Sequence, residues 1–333
     1  MDECKLPNFT IHDIGDIETL SQIYPQGVRD LDIPKIWKLS KGKNVTVAVL
    51  DSGAPNHPDV TKNLDIKKSK SFISNEGIYD DYVGHGTHTS SIIGASDNEL
   101  GIVGISPEVT LICIKVLNKN GRSVDDSILE GLKYCLEIKP DIISMSLGGF
   151  SPMEDVQEVL KELKTQNIVV VCSAGNSGKS PVAYPAFYPE VIAVGSYSNT
   201  SIRGRSLFSS WGEGLDVLAP GEEILGAFLD GKYSVLSGTS QSAPHVTGLI
   251  ALMISYYKAN NISYTVDGIR QDVQSTCDDI AAQGLDNETG WGIINPTKVF
   301  QNIEKLEKVI KKSNISWWKM LWMKFLSLTS SRQ

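Results

Sequence analysis

Apolar residues in this chain gather into short β-branched runs separated by stretches in which they recur every three to four positions. The first run is Val45 to Leu50, V-T-V-A-V-L, and others cover Leu111 to Val116, Ile142 to Ser146, Ile168 to Cys172 and Val191 to Val194. Runs of this length with little polar alternation predict strands buried on both faces, as in a parallel sheet. Between them, Ser123 is placed to cap a helix with Asp125 and Asp126 in its opening turn and Ile128, Leu132 and Cys135 on one face. Ser151-Pro152 is placed to open the next, with Val156, Leu160 and Leu163 inward. Strands alternating with helices predict an α/β fold, a mostly parallel sheet with helices on both faces. Residues 1–20 are polar and weakly patterned and read as an extension, with the folded domain over 21–300.

Composition narrows the function classes. The chain has 333 residues, 41% hydrophobic and 21% charged, with a net charge of −8 that argues against a nucleic-acid partner. Its five cysteines have no metal-ligand spacing and read as buried free thiols of a reducing compartment. The opening M-D-E-C-K-L-P-N-F-T has neither a basic nor an apolar signal region, so a cytoplasmic location is expected.

Small polar residues follow the strand runs, and in open α/β sheets chemistry collects at the carboxyl ends of strands. Asp51, in Asp51-Ser52-Gly53, is a candidate acid or the cap of a turn. Gly84 to Gly94, G-H-G-T-H-T-S-S-I-I-G, carries two histidines without metal-ligand spacing. One of His85 and His88 reads as a general base and the other as structural. Asn176, in Ser173 to Gly178, is a turn residue or an amide donor to an oxyanion. In L-S-G-T-S-Q-S-A-P-H-V-T-G-L, Leu236 to Leu249, a small-residue turn enters an apolar helical segment that runs to Tyr257, putting Ser240 near a helix N-terminus. Free N–H groups there favour an oxyanion, and a plain helix cap is the alternative. Pro244 suits a first turn.

Together the motifs V-L-D-S-G, H-G-T-H-T and G-T-S-Q-S-A-P-H, in that order, resemble those of the subtilisin-like serine proteases over roughly residues 21–295. The Asp, His, Ser order is known from subtilisin itself. The resemblance implies a subtilisin-like, doubly wound fold and a serine endopeptidase with Asp51, His85 and Ser240 as triad and Asn176 as oxyanion donor. It implies that Ser146-Leu147-Gly148-Gly149 pairs with a peptide or protein substrate, that Gly121 to Ser123 lies on the peptide's other side, and that Ala174, Gly175, Ala183 and Ala186 wall a pocket for uncharged, mostly hydrophobic side chains. It also implies structural Ca²⁺ held by Gln22, Asp59 of His57-Pro58-Asp59, and the loop Ser96 to Ile102 with Asn98 and Leu100.

In character the chain is nearest the intracellular subtilisins, whose short extension blocks their own site until removed. Leu6-Pro7-Asn8-Phe9 stands here where that group carries Leu-Ile-Pro-Tyr. Gln241 replaces the usual Met after the serine, and Ser242 a common Ala. The first change predicts tolerance of peroxide and slower chemistry. A narrow processing (leader) peptidase and a weakly catalytic peptide-binding scaffold are the alternatives. Residues 301–333 form a charged linker and an amphipathic segment, with Trp317, Trp318, Leu321, Trp322 and Phe325 on one helical face. That segment is too short to span a bilayer and suits a membrane surface, a protein partner or the chain's own body.

Overall fold

The computed structural model of the chain describes residues 4–15, 22–124, 126–198 and 204–308. In chain order its strands are β1 (Thr10–Gly15), β2 (Thr46–Asp51), β3 (Lys70–Ser71), β4 (Thr110–Lys115), β5 (Ile142–Met145), β6 (Val169–Ser173), β7 (Ile192–Tyr197), β8 (Val217–Pro220), β9 (Ile224–Ala227) and β10 (Tyr233–Ser237). The helices are α1 (Gln26–Asp30), α2 (Ile33–Ile36), α3 (Pro58–Thr61), α4 (His85–Gly94), α5 (Ser127–Ile138), α6 (Glu154–Thr165), α7 (Thr239–Ala259) and α8 (Val266–Gln274), and residues 296–308 are also helical.

The five predicted runs are five strands of one seven-stranded parallel sheet, ordered β3-β4-β2-β5-β6-β7-β8. Alternate side chains of each strand enter different cores, which is why the runs are apolar throughout. Val47 and Val49 of β2 pack with Leu249 to Tyr257 of α7, while Ala48 and Leu50 pack on the other face with Leu132, Cys135 and Leu160 of α5 and α6. Helix α7 lies beneath β5 to β8, and every residue from Thr239 to Tyr257 is buried, so its apolar character extends around the helix. Strand β2 is flanked by β4 and β5, and the winding reverses there. Its carboxyl end is therefore a crevice suited to ligands.

Several local expectations shift. Helix α5 begins at Ser127 with Asp126 as N-cap, because the Ser123 hydroxyl donates to the Cys4 carbonyl (2.7 Å) rather than capping a helix. Helix α6 begins at Glu154, two residues beyond Pro152, since the Met153 N–H is taken by the Tyr188 hydroxyl (2.7 Å). A second, three-stranded sheet, β1-β10-β9, had no periodic signal, and its outer strand comes from the polar N-terminal stretch. Among the described residues no helix is long and apolar enough to cross a membrane. Trp317, Trp318, Leu321, Trp322 and Phe325 lie outside the described residues.

Candidate active site

Asp51 ends β2 and His85 begins α4, and both are buried. His85 Nδ1 lies 2.8 and 3.0 Å from the two Asp51 carboxylate oxygens. The same carboxylate accepts the Ser52 N–H (2.7 Å) and the Thr89 hydroxyl (3.2 Å), which fixes its plane. His85 Nε2 is buried and has no hydrogen-bond partner among the described residues. The loop into α4 is held by Asp81, whose carboxylate accepts from Ser52 Oγ (2.7 Å), the Gly84 N–H (2.9 Å), the Thr87 N–H (2.9 Å) and Thr87 Oγ1 (2.7 Å). Gly84 has φ +75°, a left-handed turn that aims the following histidine at β2. His88, the alternative base, faces away, with Nε2 3.1 Å from the carbonyls of Ile224 and Ser234. Burial and the neighbouring His85 lower its pKa to about 3, so it stays neutral.

Ser240 is the second residue of α7. Pro244 lies in the second turn of this helix rather than the first, and it leaves the Ser240 carbonyl without its intrahelical donor. The Ser146 hydroxyl takes that role, donating to Ser240 O at 2.9 Å, while Ser240 Oγ donates to Ser146 O at 3.2 Å. Asn176, beyond the end of β6, is oriented by Thr239, whose N–H (2.9 Å) and hydroxyl (2.7 Å) both donate to its Oδ1. Its Nδ2 is thereby turned toward the cleft and donates to the Asn8 carbonyl at 2.7 Å.

The N-terminal stretch fills that cleft in extended form. Lys5 exchanges main-chain hydrogen bonds with Gly148 (3.1 and 3.0 Å), Leu6 N–H donates to Gly121 O (2.9 Å), and Ser123 N–H donates to Cys4 O (2.9 Å). A Cβ on Gly121 would come within 2.9 Å of Leu6, so the close approach depends on glycine. The ring of Phe9 sits 5.1 Å from that of His85. Gly175 and Ala183 line a small cavity of about 160 Å³ with Pro7, Gly148, Phe150 and Asn176, and Ala183 is pinned by its N–H to the Ala174 carbonyl. Two of the expected substrate-strand residues face elsewhere. Leu147 is buried in the core, and Gly149 pairs with Tyr184. Ala186 is buried as well.

Residues 42–292 match the subtilase family. The chain belongs to the subtilase family. It is 43% identical over 263 residues to the major intracellular serine protease of Bacillus subtilis (strain 168), covering 75% of this chain and 80% of the relative. It is 42% identical over 238 residues to an intracellular serine protease of Paenibacillus polymyxa (69% and 72%), and 34% identical over 276 residues to subtilisin BL of Lederbergia lenta (83% and 98%). This subtilase is accordingly a subtilisin-like serine protease, acting on peptide or protein substrates.

In the subtilase the loop from Ser96 to Ile102 gathers around the Gln22 side chain. Gln22 Nε2 stands within reach of four oxygens: Ser96 O (2.9 Å), Asn98 Oδ1 (3.3 Å), Leu100 O (3.4 Å) and Ile102 O (3.3 Å). An amide nitrogen has two protons for these four acceptors, a surplus suited to a hard cation with the amide turned oxygen-inward. Asp59 borders the loop, accepting from Ile102 N–H (2.8 Å) and Asn98 Nδ2 (3.4 Å). The oxygens offered here are mostly carbonyls, and among the described residues there is no cluster of three or more His, Cys, Asp or Glu side chains that could hold a metal ion.

Ser242 finds a partner in the Ala219 carbonyl (3.2 Å), whereas Gln241 is fully buried and neither of its amide atoms has a partner among the described residues. The free thiols are buried except Cys277, which is half-buried; burial raises Cys4, Cys113 and Cys277 to about 12 and keeps them protonated. Sequence reasoning missed Asp81, Thr239, the Ser146 hydroxyl and Lys115. The Lys115 ammonium is buried, donates to the Ser52 carbonyl and to Leu117 O (2.8 Å), and pairs with Glu76 (3.0 Å), bracing the loop after Asp51. An Asp four residues before a histidine was the available signal for Asp81.

Proposed function

We propose that this subtilase hydrolyses peptide bonds through an acyl-enzyme on Ser240. The observation that carries the reading is the buried Asp51–His85 pair, whose imidazole meets Phe9 of the segment that also meets the Asn176 amide through Asn8, with Ser240 in the first turn of α7. Neutral His85 takes the Ser240 hydroxyl proton at Nε2 as the oxygen attacks the carbonyl, then returns it to the leaving amine. Asp51 holds the Nδ1–H tautomer and stabilises the imidazolium. Asn176 Nδ2 and the Ser240 N–H stabilise the oxyanion; losing one such donor costs about 3–4 kcal/mol in subtilisin, the standard measurement for this group.

The N-terminal stretch acts as a built-in inhibitor. Asn8 O occupies the Asn176 amide, Ser240 Oγ is turned to Ser146 O, and Pro7 has no N–H to offer a strand partner. Removing the stretch frees the Asn176 amide and opens the cleft to a substrate. Ca²⁺ at Gln22, Asp59, Ser96, Asn98, Leu100 and Ile102 stabilises the fold and takes no part in the chemistry. The unpaired thiols favour a cytoplasmic setting. We assign 1–20 to the inhibitory extension and 21–300 to the catalytic domain.

Fluorophosphonate labelling with calcium present tests the reading on the intact chain, the chain cut after the extension, and Ser240→Ala. Labelling confined to the cut chain and lost in Ser240→Ala is expected. Equal labelling of intact and cut chains removes the inhibitor role, and no labelling of either leaves a peptide-binding scaffold.

A further inference from the structure

The segment in the cleft continues past the candidate catalytic centre. After Lys5 and Leu6 pair with Gly148 and Gly121, and Asn8 meets Asn176, the same chain runs on as β1 and pairs antiparallel with β10. Thr10 lies opposite Ser237, Ile11 opposite Leu236, and, past a bulge, Asp13, Ile14 and Gly15 lie opposite Val235, Ser234 and Tyr233. The other edge of β10 is filled by β9. Beneath β1, then, is a strand edge whose N–H and C=O groups need a partner. Only Gly238 and Thr239 separate β10 from Ser240, so any peptide held at Asn176 is led onto this edge.

We propose that Tyr233–Ser237 is a docking strand for the portion of an unfolded polypeptide that follows the cut bond, taking up to six residues of it, the length of β1, by β-strand addition. This rests on the reading of Ser240 as nucleophile. Thr10, Ile11 and His12 are exposed, and their pairing is by main chain apart from a His12 Nε2–Ser237 Oγ contact of 2.7 Å. Recognition by main chain selects for an extended segment free of proline, with little regard to its side chains. Short peptides ending near the cut forfeit the edge, and unfolded proteins fill it.

The test uses the full chain, folded with a site for a sequence-specific protease placed in 16–21, then nicked and freed of the released piece. Synthetic peptides of residues 4–9 and 4–15 are bound to its Ser240→Ala form and followed by anisotropy. The longer peptide is expected to bind at least ~10-fold tighter, given several added main-chain hydrogen bonds. That gain should survive scrambling of Thr10 to Gly15 and vanish when Thr10 to Ile14 are N-methylated. Equal binding of the two, or a gain indifferent to N-methylation, overturns the proposal. In parallel, the nicked Ser240 chain is given quenched substrates with two or six residues after the cut. Cleavage of both at equal kcat/KM counts against the docking strand and leaves the protease. Length-dependent binding without cleavage of either leaves the docking strand and overturns the nucleophile. The N-methyl series compares ligands on one folded protein, so a loss of fold on nicking, visible in its thermal melt, is separate from a loss of docking.

Discussion

Ser146 and Ser240 exchange hydrogen bonds, each hydroxyl donating to the other's carbonyl, at 2.9 and 3.2 Å. One half of this pair exists because Pro244 cannot donate to the Ser240 carbonyl. Strand β5 and helix α7 are thereby tied together at the residue proposed to attack substrate.

Ser146→Ala should leave the Ser240 carbonyl buried and unpaired, at a cost of about 1–3 kcal/mol. A melting temperature several degrees lower is expected, with a slower rate of fluorophosphonate labelling on the cut chain. An unchanged melt would mean that the carbonyl finds another donor.

Asp81 ties Ser52, beside Asp51, to Gly84 and Thr87, around His85. Asp81→Asn replaces one acceptor oxygen with a donor facing other donors. On the cut chain kcat/KM should fall roughly 10- to 100-fold, since about 1.4 kcal/mol of lost positioning corresponds to each factor of ten. The dependence on pH should keep its shape, because His85 and Asp51 are untouched. A normal rate would remove Asp81 from the positioning of the pair.

Chelation of calcium should lower the melting temperature, and Asp59→Asn should abolish that response. Ligand saturating at about 100 times its Kd contributes about 2.7 kcal/mol. A melt indifferent to both chelator and calcium would rule out the site.

Burial lowers His88 to about 3 and His245 to about 4, below the 6.5 of the unfolded chain. Between those values the unfolded state binds more protons, so stability is full above pH 6.5 and is lost as pH falls toward 4. Each histidine contributes a slope of at most about 1.4 kcal/mol per pH unit. Denaturant midpoints should drop between pH 7.5 and 5, and more shallowly in His245→Gln. A flat profile would contradict neutral burial.

Gln241 cannot form a sulfoxide, so cut enzyme should keep its labelling after peroxide, and Gln241→Met should lose it progressively. Equal sensitivity would place the oxidisable group elsewhere.

The sheet was legible because β2 alternates Val47 and Val49 with Ala48 and Leu50, and both sets are apolar when both faces are covered. Asp51, His85, Asn176 and Ser240 were legible through short motifs, each sitting where a strand ends or a helix begins. What escaped depends on partners distant in sequence. Ser146 meets a carbonyl 94 positions away, and His12 meets Ser237 across 225. Strand β1 has no periodicity of its own; Thr10, Ile11 and His12 are exposed, and pairing along one edge asks for no apolar side chain at these positions. Ser123 read as a helix cap because the same residue type serves a turn, or a distant segment such as that of Cys4, equally well.

The cleft-filling segment and the site it fills are one molecule, so dilution does not separate them. A short tether holds its occupant at an effective concentration on the order of millimolar, which a free peptide must exceed to compete. A single cut between Gly15 and Gln22 changes that contest from intramolecular to bimolecular. Loss of occupancy then follows from volume alone, with no change in any contact, and the protein's own abundance becomes the variable that sets how long the freed strand stays away.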